Sequence, residues 1–266
     1  MKTTLKFAAL AFALALPFSA QAHKAWLLPS STVVTPNEYV TVDAAVSNDI
    51  FYFNHVPLRI DNLVVTAPDG SVVKPENLAT GKYRTTFDLQ LAQSGTYRLS
   101  NGSRGLSASY LVGTETKRWR GTAEAFAKEV PADAKDLQVL QSQTRVETFI
   151  TAGKPSALKA DGTGLELVPV THPNDLFAGE AARFKLTIDG QPAPGLKITI
   201  VPEGIRYRAK QDEMTLTSDG DGAFSVTWPQ AGRYWLEVVT TDGKTSLPQA
   251  KQRRLSYVAT LEVLPQ

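Results

Sequence analysis

The chain holds only three histidines, His23, His55 and His172, and no cysteine. Any imidazole chemistry must use those three. His23 carries the sharpest signal. It directly follows Ala20-Gln-Ala22, small residues at the spacing of an A-x-A cleavage site, so processing after Ala22 makes it the first residue of the mature chain. A terminal histidine offers two nitrogens from one residue, the α-amine and the imidazole Nδ1, and these close a chelate ring on one metal. An α-amine with a pKa of about 7.7–8.0 gives up its proton to a bound metal at neutral pH. Nitrogen donors suit copper, nickel, cobalt and zinc, with raw affinity greatest for Cu(II). His55, in Phe53-Asn-His-Val-Pro57, reads as a loop residue, and His172, before Pro173, as extended backbone. They are the imidazoles left to partner His23, and the sequence leaves open which one reaches it. His23, His172 and His55 are therefore the candidate metal ligands, for a divalent transition metal: Ni, Co or Cu.

Other chemistries lack their residues. Without cysteine there are no disulfides, thiolate metal sites or cysteine nucleophiles. A copper-chaperone pattern with histidine at the third mature position is absent, since that position is Ala25. Met214 is the one methionine after Met1, so a methionine-rich Cu(I) site is absent too. No Gly-x-Ser-x-Gly elbow, His-Glu-x-x-His helix or Gly-x-x-x-x-Gly-Lys phosphate loop occurs. Asp219-Gly-Asp-Gly222 lacks the glutamate an EF-hand needs and reads as a hairpin turn. Phe51-Tyr-Phe53 and Trp119, within Lys117-Arg-Trp-Arg120, read as core or interface anchors ahead of sugar platforms.

The first 22 residues have the anatomy of a secretory signal: a basic start at Lys2 and Lys6, an apolar run from Phe7 to Pro17, then the small-residue site. That run has 11 residues, and a membrane helix needs about 20. Removing the segment takes the 28 basic side chains to 26, equal to the 26 acidic ones, which argues against a nucleic-acid partner. No later stretch is apolar enough to span a bilayer. The expectation is an exported, periplasmic protein with no membrane span after cleavage.

The elements that must position the histidines are strands. Phe184, Leu186 and Ile188 alternate with Arg183, Lys185 and Thr187. Leu196, Ile198 and Ile200, then Phe224, Val226 and Trp228, then Tyr234, Leu236 and Val238 repeat the period of two. Asp189-Gly190, Pro194-Gly195, Asp219–Gly222 and Ala231-Gly232 are turn signals between them. Tyr39–Asp43, Asn62–Thr66 and Thr96–Ser100 read the same way in the other half. The halves also match without gaps: Phe87–Leu99 lies on Phe224–Leu236, with Phe, Gln, Gly, Tyr and Leu coinciding. A strand, a glycine turn and a strand opening on a buried tyrosine is the pattern of a tyrosine corner, so Tyr97 and Tyr234 are expected in equivalent buried places. A short helix is expected over Thr122–Glu129, capped by Thr122 and ended by Pro131, with a strand at Arg145–Thr151. The fold expected is all-β: two tandem immunoglobulin-like or transthyretin-like β-sandwich domains. They are 23–115 and 164–266, with 1–22 as signal peptide and 116–163 as a linker with the short helix.

His23-Lys-Ala-Trp-Leu-Leu-Pro29 resembles the mature start of a family of exported bacterial proteins labelled as nickel-uptake or cobalt-transport periplasmic components (NikM-like). Gly164–Glu180, Asp189–Pro192, Ala231–Leu236 and Arg254–Leu261 are also similar. The resemblance implies a periplasmic β-domain protein and matches His23 and His172 by position. It further implies a non-enzymatic accessory protein that captures Ni or Co for an uptake system, its partner a metal-uptake transporter or an outer-membrane receptor. Two other readings stand beside it: a non-catalytic envelope interaction or glycan-binding module, and a copper mono-oxygenase that begins on a mature histidine.

Overall fold

The computed structural model describes residues 23–266; the segment 1–22, read from sequence as a signal peptide, lies outside the described residues. In chain order the strands are β1 (Lys24–Pro29), β2 (Val33–Val34), β3 (Tyr39–Ser47), β4 (Val56–Pro57), β5 (Leu63–Thr66), β6 (Val72–Val73), β7 (Glu76–Thr80), β8 (Thr85–Gln90), β9 (Gly95–Val112) and β10 (Glu115–Gly121). After α1 (Ala123–Glu129) come β11 (Lys135–Ala152), β12 (Leu165–Pro169), β13 (Ala181–Ile188), β14 (Gln191–Pro192), β15 (Lys197–Pro202), β16 (Met214–Thr217), β17 (Ala223–Thr227), β18 (Gly232–Asp242) and β19 (Gln252–Val263). Among the described residues no helix is long and apolar enough to cross a membrane.

These strands build three sheets. A ten-stranded sheet runs β16-β15-β18-β19-β11-β9-β5-β6, with β10 on β9 and β2 on β11. A five-stranded sheet holds β1-β3-β8-β7 with β4 on β3, and a four-stranded one holds β12-β13-β14 with β17 on β13. Alternation along the long strands sends neighbouring side chains to opposite faces of the ten-stranded sheet. Tyr97, Leu99, Val146, Ile150, Trp235 and Val258 pack on Trp26, Val42, Phe87 and Leu89 of the five-stranded sheet. From the other face, Phe149, Ile200, Tyr234, Leu236, Tyr257 and Leu261 pack on Leu167, Phe184, Leu186 and Phe224 of the four-stranded sheet. The protein is thus two β-sandwiches that share one sheet and use its opposite faces.

The segment 116–163, read from sequence as a linker, supplies β10, α1 and β11. Strand β11 joins the halves, pairing antiparallel with β9 on one side and parallel with β19 on the other. Helix α1 forms where expected: Thr122 Oγ1 accepts the Ala125 N–H at 3.3 Å, and Phe126 buries against Leu106, Ala108, Tyr110 and Val139. Trp119 anchors it, with its Nε1 donating to Glu129 Oε2 at 2.7 Å and its ring edge-on to Phe126.

The two tyrosines are equivalent. Each opens a strand of the shared sheet after a strand of an outer sheet, β8 before β9 and β17 before β18. The Tyr97 hydroxyl accepts the Gln93 N–H at 2.7 Å, and the Tyr234 hydroxyl donates to the Gln230 carbonyl at 2.8 Å, both four residues back. The glycine two residues before each tyrosine sits at φ 135° (Gly95) and 138° (Gly232). A Cβ at Gly95 would meet Pro68 Cβ at 2.5 Å, so the corner needs glycine for space as well as for backbone freedom.

Candidate functional site

Strands β1 and β4 flank β3 on opposite sides. Lys24 pairs with Ser47 and Val56 with Val46, so His23 and His55 fall at the same end of β3. Two strand spacings put their backbones roughly 10 Å apart, and the side chains close that gap: the two imidazoles stack with centroids 3.9 Å apart and planes within 7°. Both residues are exposed.

The loop between β3 and β4 is built to hold this arrangement. Asn54 donates its N–H to Ser47 Oγ at 3.1 Å, accepts the Asn48 N–H at 3.2 Å and reaches Asp49 Oδ2 at 3.4 Å. Phe51 sits in the left-handed region, φ 57°, a conformation that costs a bulky residue about 1–2 kcal/mol. Burial offsets that strain: the Phe51 ring lies edge-on to the fully buried Trp26 at 5.7 Å, with Phe53 at 6.2 Å. Arg84 covers Phe53 at 4.8 Å and Arg206 covers Tyr52 at 4.0 Å. The aromatic triplet 51–53 therefore anchors the loop that carries His55.

Among the described residues no hydrogen bond engages the ring of His23 or His55, so their nitrogens are uncommitted. Stacked rings hold their in-plane lone pairs side by side. Both point at one centre only after a χ rotation, which exposed side chains make freely. The described residues contain no group of three or more His, Asp or Glu placed to hold a metal, so the donor set here is the two imidazoles. The Lys24 ammonium faces the adjoining groove, donating to Gln211 Oε1 at 3.3 Å and lying 5.7 Å over the Trp235 ring.

His172 lies elsewhere. Its ring bonds Thr96 at the start of β9, which meets Thr151 at the end of β11, where β2 also pairs. That is beyond the far end of β1 from His23, a strand length of about 17–20 Å. Its Nδ1 accepts the Asn174 N–H at 3.1 Å, which leaves Nε2 to carry the proton and donate to Thr96 Oγ1 at 2.9 Å. Thr96 Oγ1 is 2.9 Å from Thr151 Oγ1, and Thr151 Oγ1 donates to Asn174 Oδ1 at 2.9 Å. Burial pushes the His172 pKa below the usual histidine value. Both nitrogens of this neutral ring are spent on the fold.

A cluster that the sequence did not single out lies under the four-stranded sheet. Glu147 Oε1 accepts from Arg98 Nε at 2.9 Å and Nη2 at 2.7 Å, and its Oε2 accepts the Tyr257 hydroxyl at 2.7 Å. Glu166 Oε1 accepts from Arg145 Nη1 at 3.2 Å and Arg98 Nη2 at 3.3 Å. Glu147 and Glu166 are fully buried. Carboxylates hold Arg98 firmly charged against its burial, and burial pushes the Tyr257 hydroxyl well up. Arg145 and Glu147 alternate along β11 as solvent-facing charges do, so only the covering sheet reveals them as buried.

Fold and site define an all-β sandwich protein with an exposed, uncommitted histidine pair at the head of its first strand. The chain belongs to the family described as a domain of unknown function, DUF4198, whose model matches residues 20–242. No curated protein matches it. Similar solved structures include the D0-D1 domain of intimin (13% identity, 89% of this chain and 97% of that one, TM-score 0.23). The adhesin InvE of Yersinia pseudotuberculosis is 12% identical over 91% of this chain and 61% of its own, TM-score 0.23. The Escherichia coli adhesin FdeC is 14% identical over 91% and 66%, TM-score 0.23.

Proposed function

We propose that this chain is an exported, periplasmic metal-binding accessory protein. It captures a divalent transition metal through His23 and His55 and passes it to an uptake system. The observation that carries this reading is the stacked pair: two exposed imidazoles with free nitrogens, held together by a loop that accepts backbone strain at Phe51. Removal of residues 1–22 adds the α-amine of His23, and the donor set becomes three nitrogens from two residues. Nickel or cobalt as cargo, and a transporter or outer-membrane receptor as recipient, follow from the resemblance of the mature start and the 164–180 segment to nickel-uptake components. His55 takes the partner role in this reading, in place of His172, whose nitrogens are occupied.

The test compares the mature protein beginning at His23 with the same protein carrying one extra residue before it. Calorimetric titration with Ni(II) and Cu(II) should show at least about a hundredfold weaker binding in the extended form, since losing a ligand exceeds the 10–100-fold cost of disturbing an outer-shell partner. Equal affinity would refute the terminal chelate.

The three-nitrogen set favours one second reading, a copper mono-oxygenase, because such donors bind Cu(II) most tightly. Oxidation of a polysaccharide by the copper-loaded mature protein with a reductant would distinguish it from the accessory role.

A further inference from the structure

On the face of the ten-stranded sheet that carries the four-stranded sheet and α1, a groove of about 540 Å³ is left open between them. Arg98, Arg145 and Arg104 line it, with Asn62, Ser100 and Gln143 at its sides. Arg98 and Arg145 are fixed from beneath by buried Glu147 and Glu166, so two guanidinium groups are presented without freedom to turn away. Those two pairs balance in charge. The carboxylate that faces them from above belongs to Asp161, the one acid lining the groove among the described residues. Its Oδ1 accepts from Arg98 Nη1 at 3.0 Å and its Oδ2 from Arg145 Nη1 at 2.7 Å, one oxygen on each guanidinium.

The Asp161 side chain is half exposed, and its loop has other holds. The Asp161 N–H donates to Glu166 Oε1 at 2.7 Å, the Gly162 N–H to Glu166 Oε2 at 2.8 Å, and Arg145 Nη2 holds the Thr163 carbonyl at 3.1 Å. The backbone keeps the loop in place while the carboxylate can swing into solvent. A seat between two arginines filled by a half-exposed carboxylate is what a ligand of the same chemistry would take over.

We propose that this groove binds a carboxylate-bearing sugar, and that Asp161 holds the seat until the ligand displaces it. The ligand carboxylate bridges Arg98 and Arg145, and Arg104 adds a further positive charge. Asn62, Ser100 and Gln143 line the groove with groups able to hydrogen-bond sugar hydroxyls. A peptide is the poorer match, because Val64 is the one large apolar side chain among the lining residues. The volume lies in the ordinary range of small-ligand sites, about 300–1,000 Å³. The groove stands apart from the His23–His55 pair and is independent of the metal reading.

The test uses calorimetric titration of digalacturonate into the wild-type protein and into Asp161→Ala and Asp161→Asn variants. Both variants should bind at least about tenfold more tightly than wild type, the equivalent of removing one competing charge-assisted contact. Arg104→Ala should weaken binding, and lactose, a neutral disaccharide, should bind none of them. Thermal melts should show the variants folded. The proposal is overturned if the variants bind no tighter than wild type. It is overturned as well if lactose, or a short peptide with a free carboxyl terminus, matches digalacturonate. An Asp161→Asn protein that fails to fold also overturns it, because the carboxylate would then be a strut and not a stand-in.

Discussion

His172 and the His23–His55 pair use one side chain in opposite ways. At His172 the Asn174 N–H takes Nδ1 and Thr96 takes Nε2, inside a chain of hydrogen bonds that ties β9 to β11. At the head of β1 two rings face each other in solvent, and none of their four nitrogens has a hydrogen-bond partner among the described residues. The lesson is that a histidine's availability is set by its hydrogen-bond ledger and not by its position in a motif. By resemblance His172 was the stronger partner for His23. By geometry it is a structural residue, and His55 stands beside His23.

That contrast can be broken most directly by exchanging the lesions. His55→Ala should weaken Ni(II) or Cu(II) binding by at least about tenfold, while His172→Ala leaves it unchanged. A metal titration of both variants decides this, and loss of affinity in His172→Ala alone would reverse the assignment. The next effect is on stability and runs the other way. His172→Ala strands the Asn174 N–H and removes one donor from Thr96 Oγ1, which keeps Thr151 and the Ser156 N–H, so urea unfolding should show a loss of about 1–3 kcal/mol, against little change for the exposed His55→Ala.

The smallest effect is that of pH. Burial lowers the His172 pKa in the folded state below the unfolded value of about 6.5. A proton must then displace the Asn174 N–H from Nδ1. The contribution of neutral His172 is therefore complete above about pH 6.5 and is lost as pH falls through the lower folded value. Wild-type protein should lose stability across that window more steeply than His172→Gln, measured by the urea midpoint at each pH. Parallel curves for the two proteins would remove His172 from the account.

The ion cluster around Glu147 shows why part of the molecule was hidden in the sequence. Arg145-Val-Glu has the alternation of a half-exposed strand, and its local pattern is the same whether water or another sheet covers the charged side. The choice is made by residues far along the chain: Glu166 and Tyr257, brought in by β12 and β19. By contrast the tyrosine corners were legible, because each uses contacts only four residues apart. The helix at 123–129 was legible for the same reason, its cap and its stop both lying within the local sequence.

The all-β character, the turns, the repeated Tyr97 and Tyr234 corners and the restriction of imidazole chemistry to three histidines are all written in the sequence. Those follow from period-two patterning, glycine geometry and the absence of cysteine, all readable within a dozen residues or by counting. Distant pairings alone settle that the two sandwiches share a sheet, that β11 lies at its centre, and that His55 meets His23 while His172 is spent. These depend on register between strands distant in the chain. A shift of one residue in β3 against β1 or β4 would turn every side chain to the other face, and nothing in the local sequence around His23 records which register the fold adopts.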